Sequence, residues 1–263
     1  GSALTEPTDT PWLKHAGRKI KLLSSPVGTS PDLIHKLLKN ETVKKYANEI
    51  AEGTKKGRKL ILSASRVDYT KGNEELLLSF ERILEKRKDL HGKIVLMLSC
   101  VAAASGMKIY EDTQRSIEEM AGRINGKYSL IDWVPIRITT RRIPYEEMIA
   151  WFSQADICWI TPLRDGLNLV AKEYAAARKG RDGVLVLSEF TGASVLLNGA
   201  ILTNPYSHKR MDEAIEEAIT MSKDEQKQRM KSMSDAVEAY TVSDWAEDQL
   251  TGLDKPLDIE NDN

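Results

Sequence analysis

Arg66-Val67-Asp68-Tyr69-Thr70-Lys71-Gly72 sets an arginine and a lysine five residues apart, directly behind the apolar run Leu60-Ile61-Leu62-Ser63-Ala64-Ser65. A planar guanidinium fork and a compact ammonium at one strand end can converge on a single anion, the combination a diphosphate needs. The same spacing also suits a solvated basic loop. It is neither the G-x-G-x-x-G fingerprint nor the G-x-x-x-x-G-K phosphate loop, which disfavours a dinucleotide dehydrogenase or a P-loop enzyme. A second segment, Thr161-Pro162-Leu163-Arg164-Asp165-Gly166-Leu167-Asn168-Leu169-Val170-Ala171-Lys172-Glu173, leaves a strand, turns at Gly166 and enters a helix. Backbone amides at such a helix start can hold an anion, and the helix dipole favours negative charge there. Asp165 could accept from sugar hydroxyls, and Glu173, further along the helix, could take two vicinal hydroxyls of a ribose. The bland alternative makes Asp165 a helix cap and Glu173 a surface residue.

Other candidates are weaker. Asn125-Gly126, within Ala121-Gly122-Arg123-Ile124-Asn125-Gly126-Lys127-Tyr128, reads as a tight turn with a structural role. Arg141-Arg142-Ile143-Pro144-Tyr145 is a basic approach to a helix, either exposed or facing a nucleotide. No Asp-x-Asp pair occurs, so a divalent ion bridging a diphosphate lacks its expected ligands, and no metal or cofactor is expected. His15, His35, His91 and His208 show no ligand spacing, and Cys100 and Cys158 sit in apolar runs as buried free thiols. Reduced thiols place the chain in the cytoplasm.

The elements that must position these residues alternate. Strands are expected at 19–23, 60–65, 94–101, 132–138, 157–160, 184–187 and 200–202. Helices are expected from Pro31 to near Gly53, then at 73–88, 107–124, 144–153, 167–178 and 193–197, and almost continuously after Ser207. Pro135 marks its strand as bulged or at an edge. Such alternation means β–α–β crossovers and an α/β fold, a parallel sheet with helices on both faces, whose ligands gather at the carboxyl ends of strands. The 263 residues carry 38 Lys+Arg against 39 Asp+Glu, a net charge of −1 that gives no bulk attraction for nucleic acid or membrane. No apolar stretch reaches membrane-spanning length. Residues 1–18 read as a cloning remnant (Gly1-Ser2) and loose connection, 19–253 as the folded domain, and 254–263 as a frayed acidic tail.

Taken together, the Arg66–Gly72 segment, Ala121–Tyr128, Thr161–Tyr174 and Gly183-Val184-Leu185-Val186-Leu187-Ser188 closely resemble the trehalose-6-phosphate synthase family, in the same order and with near-identical spacing from about Lys19 to Leu250. The resemblance implies a retaining glycosyltransferase with two Rossmann-like domains (the GT-B arrangement), of which this chain is the C-terminal, donor-binding half. It implies that Arg66 and Lys71 hold the diphosphate of a nucleotide sugar. Asp165, Gly166, Leu167 and Asn168 would contact the glucosyl hydroxyls. Leu169, Val170, Ala171, Lys172 and Glu173 would line the nucleotide, with Glu173 on the ribose and the backbone near Ile143 at the base. The family's acceptor-phosphate arginine falls on Ala104, within Ala102-Ala103-Ala104-Ser105-Gly106, and alanine cannot grip a phosphate. That departure, with Phe190–Gly199, looks like the branch that makes glucosylglycerol phosphate from ADP-glucose and glycerol 3-phosphate, a compatible-solute precursor for salt tolerance. UDP-glucose as donor, trehalose 6-phosphate synthesis from glucose 6-phosphate, and a non-catalytic nucleotide-binding module remain the alternatives. Acceptor contacts would come from an N-terminal domain of the same enzyme, without which this piece would transfer glucose poorly.

Overall fold

The computed structural model describes residues 12–22, 24–54, 57–102 and 107–254. Six strands form one parallel sheet: β3 (Lys59–Arg66), β4 (Ile94–Val101), β5 (Ile136–Thr139), β6 (Ile157–Ile160), β7 (Val184–Ser188) and β8 (Ile201–Thr203). Their order across the sheet is β5-β4-β3-β6-β7-β8. The period of two along each strand splits the core into two layers. Ile61, Ile157, Trp159, Val184 and Val186 pack on one face. Leu60, Leu62, Cys158, Ile160, Leu185 and Leu187 pack on the other.

Both faces are covered, as apolar strands of this kind require. The first receives α3 (Asn73–Lys86), α4 (Lys108–Tyr128) and α7 (His208–Thr220) through Leu77, Phe80, Ile117, Ile124 and Ile215. The second receives α1 (Pro31–Leu38), α2 (Glu41–Thr54), α5 (Tyr145–Gln154), α6 (Leu169–Ala177) and α8 (Lys223–Ala239) through Ile34, Val43, Phe152, Tyr174 and Met233. The last helix, α9 (Val242–Asp254), returns toward the chain start, where Val242 donates to Thr29 O and the Trp245 indole donates to Ser25 O.

The structure departs from the sequence reading at several points. The expected first sheet strand at 19–23 is instead β2 (Arg18–Lys21), paired antiparallel with β1 (Trp12–His15) in a separate hairpin. Ala16 and Gly17 both take positive φ there, the two-residue turn that suits a hairpin, and β1 falls inside the stretch read as loose connection. Asn125-Gly126 is not a turn but lies within α4. Its pull toward turns is overridden because the Asn125 amide brackets edge strand β5, donating to Ile136 O at 2.9 Å and accepting from Ile136 N at 3.0 Å. The single helix expected from Pro31 to near Gly53 is instead two, α1 and α2, separated at Lys39-Asn40. Most of the acidic tail and four of the residues around Ala104 lie outside the described residues.

Candidate functional site

The strand order reverses between β3 and β6: the chain runs from β3 outward to β4 and β5, and from β6 outward to β7 and β8. Loops leaving the carboxyl ends of these two central strands meet at the crevice where open sheets of this kind gather their ligands. Both chemistry-bearing segments are those two loops.

Arg66 ends β3 with an exposed side chain that makes no hydrogen bond or ion pair to the described residues. Asp68 then caps a 3-10 turn over Tyr69–Lys71, its Oδ1 accepting from the Thr70 amide and hydroxyl, both at 2.8 Å. Gly72 follows at φ 65°, and a Cβ there would lie 1.9 Å from Thr161 O. Only glycine allows this left-handed turn and lets the two loops touch. Thr161 Oγ1 donates to Gly72 O at 3.1 Å, and Leu163 N donates to Thr70 O at 2.7 Å.

The turn delivers Lys71 to Asp165, with Nζ 2.8 Å from Oδ2 and both side chains largely covered, at 18% and 16% exposure. Asp165 also accepts from Leu167 N at 3.2 Å and from the Asn168 amide at 3.3 Å. Burial pushes this carboxyl up, but Lys71, the Leu167 amide and Asn168 outweigh it and hold the acid below its ordinary value. A third loop braces the second. Asp165 N donates to Phe190 O at 3.1 Å, and Gly192 N donates to Asp165 O at 3.0 Å. Gly192 sits so close that a Cβ would meet Gly166 O at 2.1 Å. Gly166 itself is exposed and would have open space beside an added Cβ. Arg164, also exposed in this loop, has no partner among the described residues, and sequence reasoning left it out.

Asn168 takes the left-handed conformation at φ 71°, uncommon for a residue with a side chain, and its Oδ1 caps α6 by accepting from Ala171 N at 3.0 Å. The amides of Leu169 and Val170 carry no partner among the described residues, so the helix start presents free donors. Ala171 is fully buried, and Lys172 turns inward to donate to Val27 O at 2.7 Å. Burial lowers the Lys172 pKa. Both therefore stand behind the crevice rather than on its rim. Glu173 lies on the partly open side of α6 and accepts from the Tyr145 hydroxyl at 3.0 Å. Ile143 buries its side chain in the second core layer, and its backbone makes no hydrogen bond to the described residues.

A small hollow of ≈ 40 Å³ lies beyond the Tyr69 turn, lined by Asn73, Glu74, Glu75 and Thr113. It is far below the several hundred Å³ a nucleotide occupies, and its acidic wall would repel phosphate. Among the described residues, no three His, Cys, Asp or Glu side chains gather to hold a metal. None of the helices described is long and apolar enough to cross a membrane. The Tyr145 contact was not legible in the sequence, because no local spacing links residues 28 apart on different helices.

The profile of glycosyltransferase family 20 matches residues 2–255. The chain is 50% identical over 246 residues to the glucosylglycerol-phosphate synthase of Synechocystis, covering 94% of this chain and 49% of that protein. It is 48% identical to the glucosylglycerol-phosphate synthase of Picosynechococcus, covering 89% and 47%. A UDP-forming α,α-trehalose-phosphate synthase of Burkholderia xenovorans, solved with glucose 6-phosphate, superposes with a TM-score of 0.88 at 34% identity, covering 93% of this chain and 54% of that one. The chain thus spans about half the length of the relatives it matches.

Proposed function

The chain belongs to glycosyltransferase family 20, and from that premise we propose that it is the donor-binding half of a retaining glucosyltransferase. The proposed reaction moves glucose from ADP-glucose to glycerol 3-phosphate and gives glucosylglycerol phosphate. The observation that carries the donor assignment is that the β3 loop with Arg66 and Lys71, the Lys71–Asp165 pair and the open start of α6 all lie at the reversal point of the sheet. As the sugar leaves, negative charge grows on the departing diphosphate, and preorganised cations and amides aimed there lower the barrier. Arg66 and Lys71 supply the cations, and the Leu169 and Val170 amides supply neutral donors. The departing phosphate oxygen takes the acceptor's proton on the same face as the new C1–O bond forms, so no separate general base is required. We assign the contacts to the glucosyl group to Asp165, the Lys71 partner, and to Gly166, Leu167 and Asn168, which follow it in the same loop.

The acceptor rests on the relatives' relative closeness: 50% identity to a glucosylglycerol-phosphate synthase against 34% to the trehalose-phosphate synthase structure. Acceptor contacts are assigned to the half of the relatives' length that this chain does not span. The two buried free cysteines fit a reducing compartment, and we assign the cytoplasm. The test joins this chain to the matching N-terminal half and supplies ADP-glucose with glycerol 3-phosphate or glucose 6-phosphate. Glucosylglycerol phosphate is the expected main product. Trehalose 6-phosphate would overturn the acceptor assignment, and nucleotide binding without any transfer would leave a binding module.

A further inference from the structure

Tyr145 and Glu173 come from different helices and meet through one contact, the phenol donating to Glu173 Oε1 at 3.0 Å. Tyr145 opens α5, two residues beyond Ile143, and Glu173 lies in the second turn of α6. Among the described residues this is the only hydrogen bond to the Glu173 carboxylate, and no cation pairs with it. Its neighbour Lys172 is turned away to Val27 O. A partly buried carboxylate with one oxygen pinned and the other open carries a desolvation cost that new donors would relieve. A vicinal diol presents two O–H donors side by side, matching the two carboxylate oxygens.

Building on the donor-site reading above, we infer that the Tyr145 hydroxyl is a positioning group for Glu173, fixing the carboxylate as the acceptor for the two ribose hydroxyls of the nucleotide. The bond removes rotamer freedom from a long side chain before the ligand arrives, so less is lost on binding. It also ties the segment beside Ile143 to the ribose site, so base and ribose are placed by one rigid unit of α5 and α6. Burial raises the Glu173 pKa and the Tyr145 bond draws it back down. The Tyr145 phenol is itself pushed upward by burial and by the facing carboxylate, so it stays protonated and can act as the donor.

The experiment titrates ADP and 2′,3′-dideoxy-ADP into the wild-type chain, Tyr145→Phe, Glu173→Gln and the double variant. The wild type should prefer ADP. Tyr145→Phe, which keeps the ring and its packing, should lose about fivefold in ADP affinity with dideoxy-ADP affinity and melting temperature unchanged. The double variant should lose no more than Glu173→Gln alone, since both changes act through one carboxylate. An undiminished ADP preference in Tyr145→Phe, or additive losses in the double variant, would overturn the inference. ADP binding by the wild type with no preference over dideoxy-ADP would overturn it by removing Glu173 from the ribose. Failure of the wild type to bind either nucleotide would instead bring down the donor-site reading beneath it.

Discussion

The two ends of the crevice are held by different physics. At one end Lys71 and Asp165 form a mostly covered ion pair braced by backbone bonds from three loops, with Arg66 exposed at the end of β3 and without a partner among the described residues. At the other, Glu173 is held by a single neutral donor and has no ion-pair partner among the described residues. The first end depends on backbone positions that tolerate no side chain. The second depends on one hydroxyl reaching across two helices. Charge-based recognition is therefore expected to be robust in geometry but sensitive to salt, and ribose recognition the reverse.

The largest effect should come from the backbone under the charged end. Gly72→Ala must fit a methyl where Thr161 O lies 1.9 Å away, in a left-handed conformation alanine resists. We expect destabilisation of about 3 kcal/mol or more by denaturant unfolding, together with loss of nucleotide binding. Gly166→Ala, with open space around it, should unfold like the wild type. Equal stability of the two variants would break the distinction between braced and open positions.

A smaller effect is expected from Asp165→Asn, which removes the charge competing with phosphate for Lys71. ADP affinity should rise about threefold, while the advantage of ADP-glucose over ADP shrinks because a sugar contact is lost. Calorimetry with both ligands separates the two changes, and a fall in ADP affinity would contradict the shared-lysine account.

The subtlest difference is in pH. Asp165 is held below its ordinary value, chiefly by Lys71 against the upward push of burial, so its stabilising charge persists on acidification until the pH falls through that lowered value. Glu173 has a raised pKa from burial, so it takes up its proton at a higher pH. Preference for ADP over dideoxy-ADP should therefore fade at a pH where the melting temperature still reflects the Lys71–Asp165 pair. Simultaneous loss of both would show that the two ends are not independent.

The charged end was legible in the sequence because its parts are local. Strand, loop and helix start follow one another in each segment, and the periodic apolar runs of β3 and β6 set both loops at carboxyl ends. That much also fixes an α/β sheet with two covered faces. What the sequence could not show is contact made at a distance: Tyr145 on Glu173, Lys172 on Val27, Gly192 against Gly166. Nor could it show that Asn125-Gly126 stays helical, because the compensating bonds come from Ile136 on another element. Lys172 illustrates the limit well. Sequence reading placed it along the nucleotide, whereas its ammonium points back to the chain's early segment.

The central claim is that this crevice binds the diphosphate of a nucleotide sugar, and it is tested most directly by titrating ADP-glucose into the wild-type chain and into the Arg66→Ala, Lys71→Ala double variant. The account predicts one site in the wild type, weakened on the order of a hundredfold in the variant and falling with added salt. Absence of binding by the folded wild-type chain, or equal affinity in the double variant, would contradict it.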